Sequence, residues 1–183
     1  MKVTAFLTDG FETVEALAVI DILRRAGIET VTVSITGNKN VISVQNITVT
    51  SDYILGETDI ADSDVLFLPG GPGHTSYMES ERLLELLKEH NAAGKRIAAI
   101  CAAPSILGRI GLLEGKKATC FPGFEEYLLG AEVIKAPARV VTDGNITTSR
   151  GMGTSLDLGL ELVRLLSGED KCEELARSIQ YKD

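Results

Sequence analysis

The strongest chemical signal in the chain is a cysteine set among small residues, Arg96-Ile-Ala-Ala-Ile-Cys101-Ala-Ala-Pro-Ser. Residues 96–100 read as a strand and residues 103–110 as the start of a helix, so the sulfur falls at a strand-to-helix junction. Ala98, Ala99, Ala102 and Ala103 leave space for a sharp turn of the nucleophile-elbow kind. Pro104 suits the first helical turn, where a missing N–H costs nothing. A helix N-terminus beside the sulfur is expected to lower the thiol pKa and favour the thiolate. The opposing reading, a cysteine acting as a small buried hydrophobe, fits Cys120 and Cys172, which lack such surroundings.

Glu15 falls in the first turn of a helix, after Gly10-Phe11-Glu12. A carboxylate there complements the helix dipole, and Glu12 is equally eligible on that count. Periodicity separates the two, placing Glu15 beside Leu17 and Ala18 on the inward side and Glu12 in the loop. A partly buried carboxyl has a raised pKa and can act as acid or base near neutrality. Gly70 and Gly71 follow a buried strand and carry two readings of equal weight. They offer backbone N–H donors to an oxyanion beside Cys101, or they form a plain loop that needs positive φ. Neither G-x-G-x-x-G nor G-x-x-x-x-G-K-[ST] occurs, so nucleotide binding has little support. Of the two histidines, His74 is a candidate for the pocket edge, and His90, in Lys88-Glu89-His90, is expected to be solvated. Any Cys–His pair would draw on these two.

Short β-rich runs alternate with amphipathic segments and must position these groups. Strands are predicted at residues 2–7, 29–34, 64–68 and 96–100. Helices are predicted at 13–26, 79–91, 103–110, 153–166 and 168–178. The first helix shows Val14, Leu17, Ala18, Ile22 and Leu23 as its apolar face. Residues 41–44 and 47–50 flank Gln45-Asn46 as a small hairpin, and Asp143-Gly144-Asn145 marks a tight one. Such alternation means a mostly parallel sheet with helices on both faces. Its active crevice lies at the carboxyl ends of the strands, where residues 8–12, the loop after Leu68 and the Cys101 turn should meet. No linker divides residues 1–183, which are expected to form one domain.

Bulk composition is that of a globular chain, with 44% hydrophobic and 24% charged residues. The net charge of −8 (18 basic minus 26 acidic) argues against a nucleic-acid partner. No apolar stretch reaches the roughly 20 residues of a membrane span, and the opening MKVTAFLTDGFE, which turns acidic early, is not expected to act as a secretory signal. Three scattered cysteines make no disulfide framework and no zinc pattern, so a cytoplasmic setting without metal is expected.

The segments ETVEALAVIDILRRAG from Glu12, LPGG from Leu68, AAICAAP from Ala98 and TSRGMGTS from Thr148 resemble the ThiJ/PfpI superfamily. Their order and spacing are those of the branch containing the human Parkinson's-disease deglycase and its bacterial homologues. The resemblance implies a flavodoxin-like fold of the class I glutamine amidotransferase type, a homodimer and no cofactor. It implies that Cys101 is the oxidisable nucleophile and Glu15 the protonated carboxyl beside it. Gly71 and Ala102 match the backbone N–H donors around the sulfur, and Gly70, His74, Phe121, Arg150 and Gly151 are candidate pocket-lining residues. Three positions depart from relatives. Ala102 stands where the peptidase-like branch has His, Phe121 where the deglycase branch often has His, and Gln45 where a partner subunit can lend an Arg.

The leading expectation is a glyoxalase or deglycase acting on methylglyoxal-like carbonyls or their early adducts on proteins. A redox sensor or chaperone working through oxidation of Cys101 is the alternative, and an intracellular peptidase ranks below it. A glutamine amidotransferase ranks last, because it needs a late histidine and none follows His90.

Overall fold

The computed structural model describes residues 1–181. In chain order the elements are β1 (Lys2–Leu7), α1 (Thr13–Arg25), β2 (Glu29–Ser34), β3 (Asn40–Ile42), β4 (Thr48–Thr50), β5 (Tyr53–Ile54) and β6 (Val65–Leu68). They continue with α2 (Thr75–Glu79), α3 (Glu81–Ala92), β7 (Arg96–Ile100), α4 (Pro104–Arg109), β8 (Lys117–Ala118) and β9 (Glu132–Val133). β10 (Val140–Asp143), β11 (Ile146–Ser149), α5 (Ser155–Ser167) and α6 (Glu169–Ser178) complete the chain. Seven strands form one sheet in the order β10-β11-β7-β6-β1-β2-β5. All neighbours in it are parallel except the β10–β11 hairpin. β3 and β4 pair as the separate hairpin expected around Gln45-Asn46.

Strand alternation explains the two layers. Val3, Ala5 and Leu7 of β1, Val65 and Phe67 of β6, and Ala98 and Ile100 of β7 face α1, α5 and α6. The intervening Phe6, Leu66, Leu68, Ile97 and Ala99 face the opposite core with α3 and α4. Because both faces are covered, the strands read as continuous apolar runs rather than half-polar ones. The sheet is therefore the mostly parallel, doubly covered, flavodoxin-like one expected.

Three expectations needed correction. α1 buries Glu15, Ala16, Val19, Ile20, Ile22 and Leu23, while Val14 is 43% exposed. A charged residue occupies a core-face position, and this rotates a pattern drawn from apolar residues alone by part of a turn. The helix expected over residues 79–91 starts two residues later, as α3, with the separate short helix α2 before it; between them the Ser80 hydroxyl caps α3 by accepting from the Leu83 N–H. His90 is buried at 6% exposure, not solvated. It lies on the buried face of α3 with Leu83, Leu86 and Leu87, one turn after Leu86. The two-residue strands β5, β8 and β9 are too short to leave a periodic signal.

Candidate active site

β1, β6 and β7 all end at the same edge of the sheet, and backbone hydrogen bonds tie the loops that follow them. Glu12 N–H donates to the Gly70 carbonyl at 3.0 Å, and Gly73 N–H to the Gly10 carbonyl at 3.0 Å. Gly71 sits at φ +97°, and a Cβ there would lie 2.5 Å from the Glu12 nitrogen. Only glycine permits both that conformation and that approach. The loop reading of this residue therefore holds, and it does not exclude the donor reading.

Cys101 terminates β7 at φ +65°, a left-handed conformation rare for a residue with a side chain. Its N–H donates to the Ser149 carbonyl at 3.0 Å, and its carbonyl accepts from Phe121 N–H at 2.9 Å. These bonds on both sides hold the turn in its strained form. The thiol, half-buried, is hydrogen-bonded to Glu15, and the backbone N–H groups of Gly71 and Ala102 also reach the sulfur.

Glu15 is 1% exposed. Gly70 N–H donates to its Oε2 at 3.1 Å, the Met152 backbone supplies a further hydrogen bond, and Cys101 lies against it. Glu12 caps the helix, its carboxylate accepting from Glu15 N–H at 2.7 Å. Burial first, and then the Glu12 charge, push the Glu15 carboxyl up to about 7 against the pull of its hydrogen bonds. The carboxyl thus holds its proton close to neutrality.

The Cys101 thiol is pushed up to about 12, by burial first and then by the charge and hydrogen bond of Glu15. This corrects the expectation that a helix N-terminus lowers it. α4 has only six residues and begins three positions beyond the sulfur, so its dipole is weak there. The N–H groups of Gly71 and Ala102 favour the thiolate but do not outweigh the neighbouring carboxyl. Two interacting groups of this kind lose their protons as a pair, in one step near neutrality and one in strong alkali. The first proton lost is mainly that of Glu15, so a thiolate beside a protonated Glu15 is the minor form of the singly deprotonated pair, reached when the thiol passes its proton to the carboxylate.

The other candidates fall into two groups. Gly70 and Gly151 border the pair: a Cβ on Gly70 would lie 2.6 Å from both Cys101 Cβ and Glu15 Oε2, and one on Gly151 3.7 Å from Glu15 Oε1. Phe121 packs against Gly151 and is 47% exposed. His74 and Arg150 lie further out. His74 Nδ1 is 2.9 Å from the Gly71 carbonyl, and its ring meets Phe124 edge-on at 5.3 Å. Arg150 lines the cavities beyond Phe121. Gln45 accepts from the Thr13 hydroxyl at 2.5 Å and donates to Glu12 at 3.0 Å, so it braces the cap of its own helix. Sequence reasoning missed the Met152 and Ser149 backbone groups, because backbone donors and acceptors carry no residue-type signature. Among the described residues, no group of three or more His, Cys, Asp or Glu is placed to hold a metal, and no helix is long and apolar enough to cross a membrane.

Comparison with known proteins gives one consistent family. The model of the DJ-1/PfpI family matches residues 1–165. Drosophila melanogaster dj-1beta is 34% identical over 94% of this chain and 93% of its own length. A Pyrococcus abyssi protein named as a deglycase is 33% identical over 91% of this chain and 99% of its own. The chain spans less than half of the Arabidopsis thaliana DJ-1 homologs B and A, 39% and 44% of their lengths, at 36% and 38% identity over 94% and 93% of this chain. Among solved structures, oxidised Toxoplasma gondii DJ-1 superposes with a TM-score of 0.94 at 32% identity, covering 100% of this chain and 99% of that one.

Proposed function

The chain belongs to the DJ-1/PfpI family, and on that premise we propose that it is a cofactor-independent, cysteine-dependent glyoxalase or deglycase acting on 2-oxoaldehydes or their early protein adducts. The observation that carries this reading is the buried Glu15 carboxyl lying in hydrogen-bond contact with the half-buried Cys101 thiol. A deglycase among the relatives points the same way.

The sulfur, as thiolate beside protonated Glu15, adds to the aldehyde carbon. A C–S bond forms and the carbonyl π pair moves to oxygen, where the N–H groups of Gly71 and Ala102 stabilise the charge. The oxyanion then takes the Glu15 proton, leaving a hemithioacetal. Glu15, now ionised, removes the hydrogen on the sulfur-bearing carbon, and the resulting enediol is reprotonated at the neighbouring carbon. The product of this transfer is a thioester, and water cleaves it to a 2-hydroxy acid and the free thiol. Methylglyoxal and one water thus become lactate, with no external oxidant or reductant. Ala102, in place of a histidine, argues against peptidase work.

One observation favours a second reading, oxidation of Cys101. An acidic hydrogen-bond donor and two backbone N–H groups around a half-exposed sulfur suit a sulfinate, and a relative has been solved in an oxidised state. The protein is further proposed to work in the cytoplasm as a homodimer. Val14, Ile42, Val44 and Ile47 are each more than two-fifths exposed around the start of α1 and its neighbouring hairpin, an apolar face a second copy would cover.

The deciding experiment is lactate formation from methylglyoxal by the purified protein and by Cys101→Ser. Wild-type turnover that disappears in the variant supports the enzyme. Equal turnover in both proteins rejects it, and selective addition of two oxygens to Cys101 under mild peroxide without turnover favours the redox reading.

A further inference from the structure

A cavity of about 700 Å³ opens beside Phe121, Gly151 and Met152. Its inner wall is built from the neighbours of the reactive pair. Phe121 N–H donates to the Cys101 carbonyl, the Met152 backbone bonds Glu15, and Gly151 packs against both Phe121 and Glu15. Methylglyoxal has five non-hydrogen atoms and would leave nearly all of this space empty, since sites of 300–1,000 Å³ hold ligands several times larger. A second cavity of about 240 Å³ adjoins it and shares Pro122 and Arg150.

The charges here run against the rest of the molecule. The chain carries −8 overall, yet the side chains lining the two cavities include Lys135, Arg139 and Arg150 against the single carboxylate Glu125, counted among the described residues. Arg139 is committed, pairing with Asp157 at 2.7 Å and donating to the Gly153 carbonyl. Glu125 accepts from the Gly123 N–H at 2.6 Å. Arg150 is half-buried where the cavities meet and makes no salt bridge within 4.0 Å among the described residues. The Glu125 carboxylate in the same cavity acts on it through charge alone, with no hydrogen bond between them among the described residues, so the half-buried guanidinium keeps its five donors for a carboxylate or phosphate.

We propose that Arg150 is an anion-binding subsite, so that the preferred ligand joins its reactive carbonyl, through an apolar body lying on Phe121, to a distal carboxylate or phosphate. This deepens the assignment of Cys101 as the reactive group and rests on it. The two claims separate in the test, because alkylation of Cys101 requires no turnover.

The probes are N-phenyliodoacetamide, its 4-carboxy analogue and its 4-phosphono analogue, each losing iodide as the sulfur–carbon bond forms and the thiol proton leaves. Rates at Cys101 are read by intact mass and peptide mapping. The wild type should be alkylated by both anionic reagents about fivefold faster than by the neutral one, the upper range for a partly exposed ion pair. In Arg150→Met the preference should fall to about one, with the neutral rate within about twofold of wild type. The wild-type preference should also shrink as sodium chloride is raised. The faster anionic reagent identifies the carboxylate or the phosphate as the better fit. Equal rates for all three reagents in the wild type, a preference that survives Arg150→Met or is indifferent to salt, or no alkylation of Cys101 by any of them would each overturn the subsite. Methylglyoxal turnover with equal alkylation rates rejects the subsite alone, and an anionic preference without turnover rejects the reaction alone.

Discussion

Glu15 and His90, at opposite ends of the sheet, both have their proton state set by burial, and the two are handled in opposite ways. At the carboxyl end, Glu15 is surrounded by partners: Gly70 N–H, the Met152 backbone and the Cys101 sulfur. At the amino end, His90 sits just before β7 with its Nε2 buried and without a hydrogen-bond partner among the described residues. Burial and the Lys95 charge lower the His90 pKa, against the backbone of Asp64 and Arg96 and the Asp64 carboxylate. Both groups are thus driven toward their neutral forms, Glu15 by keeping a proton and His90 by losing one. Only at the carboxyl end does the proton have somewhere to go, because a nucleophile lies against it. The lesson is that a shifted titration marks a reactive site only when a second group shares the proton, and burial alone does not supply one.

Removing the proton at the carboxyl end should have the largest effect. Glu15→Gln is expected to lower methylglyoxal turnover by about 10²–10⁴-fold, the range for loss of a general acid–base. The same variant sharpens the contrast in stability. A carboxyl whose folded pKa lies above its unfolded value stabilises the fold at acid pH and loses that contribution as pH rises through the folded value near 7. The stability of Glu15→Gln relative to wild type should therefore rise between about pH 4.5 and pH 8, by up to roughly 3 kcal/mol in urea unfolding. A gap independent of pH contradicts the buried, protonated carboxyl.

Next in size is Gly70→Ala, which forces a methyl against Cys101 and the Glu15 carboxyl. It should cost about 1–3 kcal/mol of stability by overpacking and remove most turnover. A folded Gly70→Ala protein with wild-type activity would show the pair to be more loosely held than described. At the other end, the lowered His90 pKa stabilises the fold above the unfolded value and loses that contribution as pH falls below about 6.5. His90→Leu should lose less stability than wild type in urea unfolding between pH 7 and pH 5, while turnover at pH 7.5 is unchanged. Smallest is Cys172→Ser, a half-buried thiol donating to the Leu160 carbonyl, where a change within about 0.5 kcal/mol is expected.

How far this was legible in the sequence differs along the same divide. The strands at 2–7, 29–34 and 96–100 and the tight β10–β11 hairpin were readable because buried parallel strands are continuous apolar runs bounded by turn residues. The strand–cysteine–helix junction was readable because small residues on both sides leave little else for it to be. The inward placement of Glu15 was anticipated, but on a helix face set slightly off, since hydropathy cannot score a carboxyl as a core residue. His90 was misplaced for the same reason in reverse: Lys88 and Glu89 beside it suggested solvent, while its register with Leu83, Leu86 and Leu87 put it inside. The thiol pKa could not be read at all, because its sign depends on a carboxyl 86 positions away in the chain meeting the sulfur in space.

The most direct test of the shared proton is a ¹³C NMR titration of the Glu15 carboxyl, assigned by its disappearance in Glu15→Gln. A midpoint near 7 is predicted in the reduced protein. A midpoint at the ordinary glutamate value of about 4.3 would mean that Glu15 carries no proton for Cys101 at neutral pH, and would contradict the account.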